Sequence, residues 1–303
     1  MLASFLTTIL FSLSVIFASR SARLLGAARA NLGRILLATI FLAIWAHNFG
    51  AGLRGAGMPW FFVSGVIGFG LGDLALFGAL PRIGPRLAIL LTQCLAAPIA
   101  AFTEWIWLGT RLPGDELGCA ALILAGVAIA LAPDHGLHTT RRLFWSGVGF
   151  GIGAATGQAL GAVISRKAGQ ISAMSGVDVD GGTAAYQRIL GGAVLTAAAI
   201  FFLKRMRKPD ADPAETGATW RSAWPAVAGN AITGPTLGVG CYQWALKTTP
   251  SAIVLPIVAT SPLVTLLLAW RMDGHAPTRR AVIGGILAVF GAAALAVLHG
   301  GGR

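Results

Sequence analysis

Residues Gly70–Leu108 read GLGDLALFGALPRIGPRLAILLTQCLAAPIAAFTEWIWL. Two apolar runs, each long enough to cross a bilayer, flank Pro81-Arg82-Ile83-Gly84-Pro85, a hinge too short for anything but a turn. The pattern predicts two antiparallel helices in hydrocarbon. Asp73 and Gln93 lie inside them, and inserting a central Asp costs roughly 2.5–3.5 kcal/mol. Each needs a partner or water.

The same character extends over the whole chain of 303 residues, which is 55% hydrophobic and only 11% charged, with a mean hydropathy of +0.74. Soluble domains carry about 25% charged residues, so the composition predicts an integral membrane protein. Five apolar runs, Met1–Ala18, Leu32–Asn48, Pro59–Leu80, Pro85–Gly109 and Pro113–Ala132, precede five more. These are Leu143–Ser165, Thr183–Leu203, Ala223–Leu246, Ser251–Trp270 and Arg280–Leu298. At 1.5 Å per residue such runs cross a core of about 30 Å. The expected fold is all-α and polytopic, with ten transmembrane helices. No Lys or Arg precedes the first run, and Arg20 and Arg23 follow it, so it reads as a retained span rather than a signal peptide.

A net charge of +12 in a soluble chain would suggest nucleic acid. Here the basic residues sit in short loops, which is the pattern of a membrane surface, and no basic face is interleaved with aromatics. Most of the 23 Lys and Arg fall on the side opposite the termini, which by the positive-inside rule puts the termini outside the cytoplasm. Cys94, Cys119 and Cys241 are isolated within spans and read as free thiols. No nucleotide-binding GxxxxGK[ST] loop occurs, which argues against a primary pump.

The chain repeats itself. ANLGRILLATI at the start of the second run matches AAYQRILGGAV at the start of the seventh, and LILAGVAIALA in the fifth matches ILAVFGAAALA in the tenth. Such pairs lie about 154 to 166 residues apart, which implies a duplicated five-span unit. An odd number of spans forces the copies to face opposite ways, the plan of secondary transporters with a site near the midplane.

Several residues could carry chemistry. Asp73, about 10 Å inside its span at 1.5 Å per residue, suits a proton carrier, an amine ligand or a tie between helices. Glu104, beside Trp105 and Trp107 with Arg111 near the helix end, reads as a solvated or Arg111-paired carboxylate at the interface. Glycines 149, 153, 157 and 161 bare one face of the sixth span for close packing, with Gln158 beside them. Asn230, Thr233, Tyr242, Gln243, Thr260 and Ser261 suggest a polar cavity, and Gly234, Pro235, Pro256 and Pro262 invite kinks around it. Arg34 and Arg188 open matching spans and read as snorkelling to the headgroups. Asp134, His135 and His138 lack a fourth metal ligand, and Asp178-Val179-Asp180 lacks the second acidic motif a diphosphate enzyme needs. No metal or cofactor is expected.

LGTRLPGDELGCAALILAGVAIAL resembles the closing motif of an EamA repeat of the drug/metabolite transporter superfamily. Gly126 and Gly291 match its late glycine, and Arg34 and Arg188 match the Arg that opens each repeat's second helix. The motif glutamate is replaced by Thr110 in one repeat and falls at His275 in the other. The resemblance covers Leu2–Ala132 and Leu143–Leu298, leaving 133–142 as a linker. It implies two inverted five-helix repeats around a central cavity, alternating access for small metabolites, and termini in the cytoplasm, against the charge count.

The reading is a non-enzymatic secondary transporter of the EamA type in a bacterial inner membrane, moving a small metabolite such as an amino acid or drug-like solute. Asp73, Gln93, Gln158, Tyr242 and Gln243 are the expected ligand contacts, with Asp73 able to couple protons. An intramembrane enzyme on lipid-linked substrates would need clustered acids or histidines at one face. A membrane scaffold would need neither inverted repeats nor Asp73.

Overall fold

The computed structural model describes residues 1–132, 140–206, 220–273 and 278–301. The triad Asp134, His135 and His138, most of the 133–142 linker and His275 lie outside them. Among the described residues every regular element is a helix, and seven helical runs are long and apolar enough to cross a membrane. Two runs distinguished in the sequence, Pro59–Leu80 and Pro85–Gly109, fall in one continuous helical stretch, Met58–Leu108. Ala223–Leu246 is divided among three short segments, and Thr183–Leu203 is not among the seven.

Helices α1 (Leu2–Leu25) and α2 (Ala27–Asn48) meet at Gly26, whose φ of 78° and ψ of 151° need a residue without Cβ. The same device recurs in the opening stretch. After α3 (Met58–Gly65) and a π-helical stretch (Val66–Gly72), α4 (Asp73–Leu108) leaves helical geometry only at Gly84, with φ 73° and ψ 161°. The five-residue hinge is thus a reversal at one residue.

Contacts with α6 (Arg141–Met174) establish that the two arms are antiparallel. From Gly147 to Gly161, α6 meets Ile83, then Gly72, then Gly68 on the first arm. Over the same rise it meets Leu91 from Gly151, Gln93 from Gln158 and Glu104 from Arg166 on the second arm. One partner series descends in number while the other ascends, so both arms lie along α6 in opposite directions. The glycine stripe does only part of this packing. A Cβ on Gly157 would stand 2.7 Å from Gly72 Cα and one on Gly161 3.1 Å from Gly68 Cα, whereas Gly149 has nothing within 4 Å.

Helix α5 (Gly114–Leu131) pairs with α12 (Arg279–Gly301). A Cβ on Gly126 would fall 2.5 Å from the Gly284 carbonyl, and one on Gly291 2.9 Å from Ile123. The late glycines therefore let two backbones touch. Helix α7 (Gly181–Met206) packs on α2, α3 and α9, while α8 (Trp220–Ala231) packs on α1 and α2. Between α8 and α9 (Leu237–Thr248) runs a second π-helical stretch, Ile232–Thr236, where Pro235 cannot donate to the helical ladder. α10 (Ser251–Val258) and α11 (Ser261–Asp273) separate at Ala259 and Thr260, and Pro262 falls in the first turn of α11, where its missing N–H leaves no helical bond unmade.

Candidate functional site

Four of the five expected contacts, Asp73, Gln93, Gln158 and Tyr242, line a single cavity of about 190 Å³. The π-helical stretch delivers Asp73 to it as the first residue of α4, with Gly68 and Gly72 in the wall. Gln93 comes from the second arm of the hairpin, and Gln158 Nε2 donates to Gln93 Oε1 at 3.0 Å. Phe11, Phe69 and Val239 supply apolar walls, and Val258 closes the α10 side.

Gln243 is not among the lining residues. It is buried, and its Nε2 has no hydrogen-bond partner among the described residues. One residue along a helix rotates the side chain by about 100°, so Tyr242 and its neighbour face different surroundings.

Arg188 and Thr92 also line the cavity, and the snorkelling expectation fails for Arg188. Only 5% of its surface is exposed, and its guanidinium carbon lies 4.9 Å from the Phe69 ring centroid and 5.7 Å from that of Tyr242. Helix α7 starts at Gly181, so Arg188 stands about 10 Å into it at 1.5 Å per residue, with its side chain turned inward onto the two rings. Arg34, half-buried on α2, donates from Nε to Asn31 Oδ1 at 2.8 Å, and the charges of both arginines act on Asp73.

The other polar candidates serve the fold. Ser14 Oγ donates to Asn230 Oδ1 at 2.8 Å, joining α1 to α8. Thr233 donates to the Gly229 carbonyl at the end of α8 and Thr260 to the Ile257 carbonyl at the end of α10, and the Ser261 carbonyl accepts from Ser12. Asp178 pairs with Lys247. Asp180 caps α7, accepting from Gly182 N, Thr183 N and Thr183 Oγ1 as well as from Trp45 Nε1. Partial burial raises the Asp180 carboxyl, but these hydrogen bonds outweigh it and hold it below the usual carboxylate value.

Glu104 is neither solvated nor paired with Arg111. It is 1% exposed, with Oε1 2.5 Å from Arg166 Nε. Its Oε2 accepts from Ser251 N at 2.9 Å and Ser251 Oγ at 2.5 Å, at the start of α10. The carboxylate meets the positive end of one helix and a cation on another. Ala97, Ala100, Ala159, Val163, Leu246 and Leu255, from the helices that carry this cluster and the cavity, belong to one buried core. A larger cleft of about 520 Å³ flanks Glu104, but exposed Phe102 and Trp105 form much of its wall, as expected of a surface facing lipid.

A family model described as the EamA-like transporter family matches residues 1–132 and again 145–297. The chain belongs to the EamA-like transporter family. A solved crystal structure shares the fold of this EamA-like protein, with a TM-score of 0.74 and 20% identity over 98% of this chain and 96% of the other. No curated protein matches it in sequence. Family and helices together make it an integral membrane protein of a transporter family.

Proposed function

We propose that this EamA-like protein is a secondary transporter of ten spans, arranged as two inverted five-helix repeats, residues 2–132 and 143–298, around the 133–142 linker. The two merged spans of Met58–Leu108, the three-part Ala223–Leu246 and α7 bring the count to ten on this reading. It works by alternating access in a bacterial inner membrane and moves a small polar metabolite through the Asp73 cavity. The observation that carries the reading is that cavity, where polar groups from α4, α6, α7 and α9 converge within an apolar bundle.

Its size bears on the solute. About 190 Å³ falls below the roughly 300–1,000 Å³ of drug-sized pockets, which favours an amino-acid-sized solute over a drug-like one. Asp73 forms no ion pair among the described residues, which leaves its carboxylate available to a proton or an amine. Gln93, Gln158 and Tyr242 act as ligand contacts.

The test is uptake of pooled small metabolites into proteoliposomes, read by mass spectrometry with and without a pH gradient. A coupled carrier accumulates a compound only with the gradient, and Asp73→Asn loses accumulation while retaining exchange. Unchanged accumulation in that variant refutes the coupling role. A folded sample that moves nothing refutes transport.

A further inference from the structure

The cavity holds a buried cation whose hydrogen-bonding capacity is unused. Arg188 is 5% exposed, its Nε has no hydrogen-bond partner, and it forms no ion pair among the described residues. Tyr242, also 5% exposed and beneath the same guanidinium, has a hydroxyl with no partner among the described residues. Stacking on Phe69 and Tyr242 steadies the cation through the ring faces. It leaves the in-plane N–H donors, the ones that bind oxyanions, unsatisfied.

Buried polar groups are ordinarily hydrogen-bonded, and two exceptions side by side in one cavity wall call for an occupant. A planar guanidinium fork with a phenolic O–H beside it matches a carboxylate or phosphate, taken by two N–H donors and the hydroxyl. The charges agree. Asp73 is subject to both Arg34 and Arg188, so the three groups together carry one excess positive charge. Phe11, Val239 and Val258 leave room for a short apolar body, and Gln93 and Gln158 offer amides opposite.

We infer that Arg188 and Tyr242 form an oxyanion subsite, and that the solute carries a carboxylate or phosphate group bound there. An amine on the same molecule would meet Asp73. The inference rests on the transporter reading for its meaning, because it names the class of solute that the cavity accepts.

Binding tests it apart from transport. Purified protein in detergent, at constant ionic strength, is titrated with propionate, alanine, propylamine and inorganic phosphate, and thermal unfolding is followed by tryptophan fluorescence. Ligands that bind only the folded state raise the midpoint saturably. Propionate and alanine, or phosphate, are expected to raise it through Arg188, whereas any response to propylamine, which can meet only Asp73, should persist in Arg188→Gln. The comparison of propionate with phosphate identifies the head group. Arg188→Gln should abolish the response. Tyr242→Phe, which removes only the hydroxyl, should weaken the apparent affinity several-fold, and Arg188→Lys should retain part of it.

A response to anions that survives Arg188→Gln, or no response to propionate, alanine or phosphate, overturns the subsite. If proteoliposomes carry only neutral solutes and anions do not bind, the subsite fails and the transporter reading stands. If anions bind through Arg188 and nothing is transported, the reverse holds.

Discussion

Replacing Glu104 by Ala removes a carboxylate that joins three helices. The residue is 1% exposed, and Arg166, its partner at 2.5 Å, is held in turn by a bond from Nη1 to the Leu246 carbonyl at 3.1 Å. Removing one member of a buried ion pair costs about 3–5 kcal/mol, because the other charge is stranded. Part of that is the lost acceptor for Ser251 N at the start of α10, a capping loss of about 1 kcal/mol. For a chain of this size the shift in thermal midpoint is on the order of 10 °C. Arg166→Ala should cost at least as much, since it leaves the more deeply buried member alone. The double variant should cost less than the sum of the two, with a coupling of about 1–3 kcal/mol. Glu104→Gln keeps an acceptor for Ser251 N and should lie between wild type and Glu104→Ala. The assay is thermal and denaturant unfolding of the four proteins in one detergent, followed by tryptophan fluorescence. A loss below about 1 kcal/mol for Glu104→Ala, or strict additivity in the cycle, refutes the pair as a structural lock.

Gly126→Ala drives a Cβ to 2.5 Å from the Gly284 carbonyl and 2.6 Å from Ala288 N, an overpacking expected to cost about 1–3 kcal/mol. Gly285→Ala, one residue beyond that carbonyl with nothing within 4 Å of its Cβ position, should instead be neutral or stabilising by up to about 1 kcal/mol. Equal thermal midpoints for the two variants would contradict the α5–α12 contact. Asp180→Ala removes the α7 cap and should destabilise by about 1 kcal/mol, discounted for its partial exposure. Because the folded Asp180 carboxyl lies below its ordinary value, its contribution is complete above the unfolded value near about pH 4. It is lost as the pH falls through the folded value, so Asp180→Asn should flatten the acid limb of a stability–pH curve relative to wild type.

Much of the fold is readable from residues that hydrocarbon or geometry penalises. Pro81, Gly84 and Pro85 announce a reversal, and the structure concentrates it at Gly84 because only glycine takes φ 73° without strain. Asp73, Gln93 and Gln158 stand out because polar groups are costly in apolar runs, and they converge on one cavity. Pro235 invites a kink, but the π-helical stretch at Val66–Gly72 has no such signal and is seen only in the fold, where it interrupts a spanning run beside Asp73.

The misreadings share a cause, which is that sequence gives neither helix starts nor rotation. Arg188 looked interfacial because its apolar run seemed to begin at Thr183, whereas α7 begins at Gly181 and the side chain turns inward between two aromatic rings. Tyr242 and Gln243 look alike as polar groups in one apolar run, yet neighbours on a helix point about 100° apart. Glu104 was matched with Arg111, near in sequence, when its partner comes from α6. The polar set of Asn230, Thr233, Thr260 and Ser261 bonds between and within helices, a use of hydroxyls and amides that composition does not separate from ligand binding.

The central claim is that the Asp73 cavity is the path of the solute. It is tested most directly by filling that cavity with Gln158→Trp and measuring uptake of pooled metabolites into proteoliposomes beside wild type, with both proteins monodisperse and similarly folded. The account predicts that every compound carried by wild type fails to enter with the variant. Undiminished uptake through a folded Gln158→Trp protein would place the path elsewhere and contradict it.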